Sequence, residues 1–172
     1  MKSDISTKLT TETAYFNQLI SDIKKGEVKI PQFQRKFVWK DEQALQLLDS
    51  VANGYPIGSI LLWKTVDKLN AARDIGVFQL PKTDEITPTN YVLDGQQRLT
   101  VIYSCLGAPE NATGYTAGYD LKNEVFIELK TGTSYPEVFP LRKLFHTTSL
   151  LNFRTSLLAL DDAVRLQQRL MT

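Results

Sequence analysis

From Thr13 onward the chain alternates between helical and strand-like spacing of its apolar residues. In TAYFNQLISDIKK, residues 13–25, Phe16, Leu19, Ile20 and Ile23 recur at i, i+3, i+4 and i+7, which predicts an amphipathic helix ended by Gly26. Val28-Lys29-Ile30 reads as a short strand stopped by Pro31. Asp41 is placed to cap a helix over EQALQLLDSVANG, with Leu45, Leu48 and Val51 (or Ala52) turned to the core. Gly54 and Pro56 break the chain before SILLW, residues 59–63, an apolar run that predicts a compact buried strand. Between Thr65 and Asn90 the pattern dissolves into charges, threonines and prolines, as expected of a long, mobile surface loop or hairpin. A strand at 91–93 and a helix over 95–106 follow, then a polar Gly/Thr/Asn segment around 107–118 and a strand within NEVFIEL, residues 123–129. Ser149 to Thr172 reads as helical, with Leu150, Phe153, Leu157, Leu160, Val164 and Leu170 apolar. That last helix has no glycine or proline stop, so a further domain is expected beyond it, the alternative being a natural frayed C-terminus.

Composition narrows the chemistry. A length of 172 residues with 42% hydrophobic content suits one globular domain with a real core. Lysine and arginine total 20 against 19 acidic residues, a net charge of +1, without the basic excess typical of nucleic-acid backbone binders. Cys105 is the only cysteine, which excludes an internal disulfide and a multi-cysteine zinc site. His146 is the only histidine, which leaves little scope for a Ser-His-Asp triad or a histidine-rich metal cluster. The polar start MKSDISTKLT carries no secretory signal, and no run approaches the ~18 apolar residues of a membrane span. A cytoplasmic protein without membrane contact is the expectation.

The densest polar cluster is YVLDGQQRLT, residues 91–100, wedged between apolar runs. A structural explanation covers part of it: Asp94 is a favoured N-cap, and Gln97 three residues on completes a capping-box pattern. Leu99, Ile102, Tyr103 and Leu106 then form the buried stripe. Gln96 and Arg98 are left over. Gln96 shares a face with Leu99 and Tyr103, so its amide needs a partner. Arg98 is a cation in a first turn, where the helix dipole favours negative charge. Free backbone N–H groups beside a cation suit a phosphate, and Gly95 lets a ligand approach the backbone closely.

Two further stretches carry polar residues in odd places. IPQFQRKFVW, residues 30–39, follows a strand and sets Gln34, Arg35 and Trp39 on an extended segment. An ordinary reading sends Phe33, Phe37 and Trp39 into a core and leaves Arg35 and Lys36 solvated. YPIGSILLW places Gly58 and Ser59 before the 59–63 strand, where a simple turn would account for them.

Taken in order, IPQFQRKFVW, PIGSILLW and YVLDGQQRLT resemble the N-terminal domain of the GmrSD-type restriction endonucleases, which share an Asp-Gly-Gln-Gln-Arg signature, intact here at residues 94–98. The phosphorothioate-sensing defence protein SspE looks like a relative, and the domain is similar to the ParB/sulfiredoxin fold, in which a Gly-x-x-Arg turn before a helix holds nucleotide phosphates. The resemblance covers roughly residues 10–107. It implies an α+β fold, a small mixed sheet with packed helices over residues 1–130, followed by a helical extension over 131–172. It also implies a module that binds and hydrolyses a nucleoside triphosphate with Mg2+, in a restriction or antiviral defence system directed at modified DNA. Carried over by position, Asp94, Gln97 and Arg98 would be catalytic, with Asp94 also holding the metal. Gln34, Arg35, Ser59, Gly95, Gln96, Gln97 and Arg98 would bind the nucleotide. Family members carry a His-Asn-His nuclease domain, which a chain with one histidine cannot supply, so the nuclease is expected in a further domain or on another polypeptide. DNA would be met through that full-length protein or partner.

Two classes therefore stand side by side: an Mg2+-dependent nucleoside triphosphatase, whose chemistry depends mainly on positioning and charge, and a non-catalytic module that senses nucleotide or modified DNA and regulates a nuclease.

Overall fold

The computed structural model describes residues 10–72, 74–75, 77–79, 88–130, 135–160 and 163–171. Helix α1, Phe16–Lys25, starts at the first residue of the apolar period, three residues into the expected 13–25 span, and closes at Gly26, whose N–H meets the carbonyls of Asp22 and Ile23. Strand β1, Val28–Pro31, leads through an irregular segment to helix α2, Asp41–Ala52. Asp41 lies inside the first turn of α2 rather than capping it; the N-cap is Lys40, whose N–H is accepted by the Gln43 side chain at 3.1 Å. The buried face of α2 is Ala44, Leu47 and Leu48, with Leu45 and Val51 at its margins, one position round from the expected stripe.

The central sheet is mixed. Strand β2 is Leu61–Thr65, β3 is Ala71–Ala72 and β6 is Thr89–Asp94, in the order β2-β6-β1-β3. β1 and β6 run parallel, and the other pairs are antiparallel. The expectation of a buried strand at 59–63 is corrected here: the strand is shifted towards 61–65 and lies at the sheet edge, leaving Leu61, Leu62 and Trp63 exposed by 42%, 38% and 38%. A continuous apolar run cannot by itself tell a strand covered on both faces from one at an uncovered edge.

The 65–90 region is less featureless than its composition suggests. A small hairpin, β4 (Asp74–Ile75) and β5 (Phe78–Gln79), inserts Ile75 and Phe78 into the core, while residues 80–87 of the expected loop lie outside the described residues. With Ile23, Val28, Ile30, Val92, Leu99 and Tyr103 these side chains make one core.

Helix α3, Gln96–Ile102, widens into a π-helical turn at Tyr103–Gly107. It lies between two cores, because Val101, Ile102 and Cys105 pack on its other side against Ala44, Leu47, Leu48, Ala117 and Leu141. A helix covered on two sides has little surface on which to place polar side chains, which matters below.

A second, antiparallel sheet contains β7 (Ala117–Asp120), β8 (Val125–Glu128) and β9 (Val138–Pro140), in the order β8-β7-β9. The stretch after residue 130 is therefore not wholly helical: β9 pairs with β7. The C-terminal helical run is a pair, α4 (Thr147–Leu157) and α5 (Ala163–Met171), packed through Leu157 and Leu166 onto Leu121. Arg169 fastens α5 to the β7–β8 turn, donating to the Leu121 and Lys122 carbonyls and pairing with Glu124 at 2.8 Å.

Arg142 is 4% exposed, and no feature of the sequence pattern marks it. Its guanidinium donates to the carbonyls of Ser104, Ala112 and Tyr115 at 2.9, 2.6 and 3.2 Å, knitting the end of α3 to the approach of β7. Burial pulls its pKa below the ordinary arginine value.

Candidate functional site

β6 passes into α3 through Gly95, which adopts the left-handed conformation at φ +88° and is itself the N-cap. This corrects the capping-box reading of Asp94 and Gln97. Asp94 lies one residue too early to reach the free N–H groups of the helix, and no side chain caps it. Its carboxylate is instead 77% exposed, with Oδ2 3.4 Å from Nη2 of Arg98.

Gln97 sits on the doubly covered helix and is 7% exposed. A buried amide must be satisfied, and this one is satisfied by backbone 59 and 61 residues away: Oε1 accepts from the Val38 N–H at 2.9 Å, and Nε2 donates to the Lys36 carbonyl at 3.2 Å. Gln34 anchors the same segment two residues earlier, donating from Nε2 to the Leu93 carbonyl at 3.0 Å and towards the Val92 carbonyl at 3.3 Å. Arg35 is thus presented between two amide clamps. Phe37 and Trp39 pack on the second core, but Phe33, expected there too, is 71% exposed.

The PIGSILLW motif is reached through Arg98. Nη2 donates to the Ser59 carbonyl at 2.7 Å. Gly58 has φ +78°, and a Cβ there would lie 2.9 Å from Nη1 of Arg98. A Cβ on Gly95 would meet Ile60 at 3.1 Å and Nη2 of Arg98 at 3.2 Å. Two glycines in separate motifs therefore leave room for one guanidinium. A bulge between Leu61 and Leu62, where β2 pairs with the end of β6, lies beside this junction.

Gln34, Arg35, Trp39, Asp94, Gly95, Gln96, Gln97 and Arg98 line one cavity of about 190 Å3. The first and third motifs converge there. Ser59 is not among the lining residues and contributes its carbonyl to Arg98 rather than its hydroxyl to the cavity. Trp39, which alternation assigns to the core, is the lining residue that residue patterning missed. The electrostatics are lopsided, with two guanidinia against one carboxylate. Two polar atoms of lining residues, Oε1 of Gln96 and Nε of Arg98, are buried without a partner among the described residues, a state that costs about 1–3 kcal/mol for each group. Among the described residues, the partner that the Gln96 amide was expected to need is not supplied to its Oε1. Among the described residues no cluster of three or more His, Cys, Asp or Glu forms a metal site, so Asp94 is the one acidic group the cavity offers to a cation.

The profile of the GmrSD restriction endonuclease N-terminal domain matches residues 16–163, which takes in all three motifs and both sheets. The chain belongs to this family. The cavity of this GmrSD N-terminal domain is therefore built by its signature residues 94–98 together with the 34–39 segment. An uncharacterized protein of Methanocaldococcus jannaschii is 29% identical over 110 residues, covering 59% of this chain and 18% of that protein. The chain thus aligns with less than a fifth of the relative's length. Among the described residues, no helix is long and apolar enough to cross a membrane.

Proposed function

We propose that this domain binds a nucleoside triphosphate in the cavity between the β6–α3 junction and the 34–39 segment, and hydrolyses it in the service of DNA-modification-dependent restriction. What carries the reading is that Arg35 and Arg98, 63 positions apart (98 − 35), line the same small cavity. Two guanidinia lining one cavity, that of Arg98 anchored on the Ser59 carbonyl, suit a polyphosphate, whose charge they match through paired N–H donors. Asp94 fits a Mg2+ ion shared with the phosphates, since magnesium is commonly held by one or two carboxylates plus phosphate oxygens. The ion would neutralise charge on the transferring group. Gln97, with its amide committed to backbone, acts here as a positioning residue for Arg35.

A second reading, nucleotide sensing without turnover, is favoured by one observation: the sole lining carboxylate is already paired with Arg98. In either case the nuclease belongs to another domain or a partner chain. DNA contact belongs there too, since the net charge of +1 supplies no strong phosphate attraction.

Phosphate release from each of the four nucleoside triphosphates with Mg2+ separates the two readings. Calorimetric titration of wild type and Arg98→Ala tests the site common to both. Wild type is expected to bind and the variant to lose at least about tenfold in affinity, one charge-assisted contact being worth roughly 1.5 kcal/mol or more. Equal affinity in the two proteins refutes the site.

A further inference from the structure

Trp39 does two things at once. It packs against the core built from α2, α3 and Leu141, and it lines the cavity beside Arg35 and residues 94–98. The other side chains around the cavity are guanidinia, amides and a carboxylate, while Gly95 contributes backbone. A phosphate can take at most the single Nε1–H donor from an indole, whose apolar ring otherwise offers it nothing and excludes its hydration water. A flat aromatic group gains a great deal from an indole whose position is fixed by the core behind it.

The size of the cavity points the same way. At about 190 Å3 it is smaller than the roughly 300–1,000 Å3 that whole small-molecule ligands occupy, so it takes part of a ligand and lets the rest extend beyond. Arg35 and Trp39 lie four positions apart on one extended segment, held at Gln34 by β6 and at Lys36 and Val38 by Gln97. The segment that offers a cation to phosphate thus also offers an aromatic surface further along.

We infer that Trp39 is the stacking platform for the base of the nucleotide, and that this site recognises an aromatic ring as well as a polyphosphate. The inference rests on the phosphate-binding reading of Arg35 and Arg98. Trp39 acts as a binding residue that sets affinity for the ring, with no part in the chemical step.

The test compares adenosine triphosphate with inorganic tripolyphosphate, which has the charge and no ring. Both are titrated by calorimetry into wild type, Trp39→Leu and Trp39→Phe. Leucine keeps apolar bulk against the core, and tripolyphosphate affinity reports whether the phosphate site survives each substitution. The expectation is that wild type binds the nucleotide more tightly than tripolyphosphate. Trp39→Leu should lose about 5- to 150-fold for the nucleotide, the range typical of base–aromatic stacking, and less than about twofold for tripolyphosphate. Trp39→Phe should stay close to wild type for both. A spectroscopic arm uses Trp63→Phe, which leaves Trp39 as the single indole of a chain with two tryptophans; its emission should change with nucleotide and not with tripolyphosphate. If nucleotide and tripolyphosphate bind wild type equally, or Trp39→Leu weakens both alike, the platform is refuted while the phosphate site stands. If wild type binds neither, the phosphate reading fails and the platform falls with it.

Discussion

Nη2 of Arg98 donates to the carbonyl oxygen of Ser59 at 2.7 Å, so the last residue of the Asp-Gly-Gln-Gln-Arg signature is anchored on the turn that enters β2. The bond joins positions 39 apart in the chain and fixes where the guanidinium stands relative to Asp94. It also explains why a Pro-Ile-Gly turn accompanies the signature: the left-handed glycine clears the space that the arginine fills.

Gly58→Ala should therefore harm the site more than the fold. The left-handed backbone costs a β-carbon about 1–2 kcal/mol, visible as a modest fall in melting temperature. The 2.9 Å contact with Nη1 adds little to that, because the end of a flexible side chain can move away. Moving it, however, takes Arg98 off the Ser59 carbonyl. Nucleotide affinity is expected to drop at least tenfold by titration; an unchanged affinity would mean that this anchoring is unimportant.

Gln97→Leu distinguishes a clamp from a catalyst. The substitution leaves the Val38 N–H and the Lys36 carbonyl without their partner, at a cost of about 1–3 kcal/mol. It should lower the urea midpoint and weaken nucleotide binding together, since Arg35 and Trp39 are no longer held in place. Unaltered stability with lost turnover would instead assign Gln97 to the chemistry.

Asp94 is freed from any capping duty, so Asp94→Ala and Asp94→Asn should both melt within a few degrees of wild type. Its exposed pair with Arg98 is worth at most about 1 kcal/mol. Both variants should turn nucleotide over far more slowly, because the anionic oxygen available to Mg2+ is gone. Full activity in the asparagine variant would remove Asp94 from the mechanism.

Cys105 offers a probe of global opening. The side chain is fully buried, and desolvation pushes its pKa up to about 12 against the smaller lowering effects of a hydrogen bond with Ala117 and the Arg142 charge. The thiolate is the reactive form, so at pH 8 the native protein should resist iodoacetamide. Raising the pH towards 9 should accelerate labelling only as far as it increases reaction of the unfolded fraction. Mass spectrometry in increasing urea should show labelling that follows the unfolding transition; rapid native labelling would mean the α2–α3 core opens locally.

Sequence alone determined the features that depend on neighbours along the chain. The apolar period of α1, the β-rich runs at β1, β6 and β8, and the signature at 94–98 were legible because spacing and composition carry them. The order of three motifs likewise carried the family. Tertiary structure decided whatever depends on what lies opposite. SILLW became an exposed edge strand because, among the described residues, no further strand or helix covers Leu61, Leu62 and Trp63, a matter of sheet order. Asp94 lost its cap role to Gly95 because one left-handed residue displaced the helix start by a position. Gln97 turned from a local capping partner into a long-range clamp because α3 is covered on two sides and its amide had to find backbone about 60 residues away. Trp39 looked like core by alternation and is core on one side, but only the folding of the 34–39 segment against β6 and α3 opened a cavity beside it. Local rules specify how a residue bends the chain, whereas a binding site is a meeting of distant segments, and its geometry exists only once they have packed.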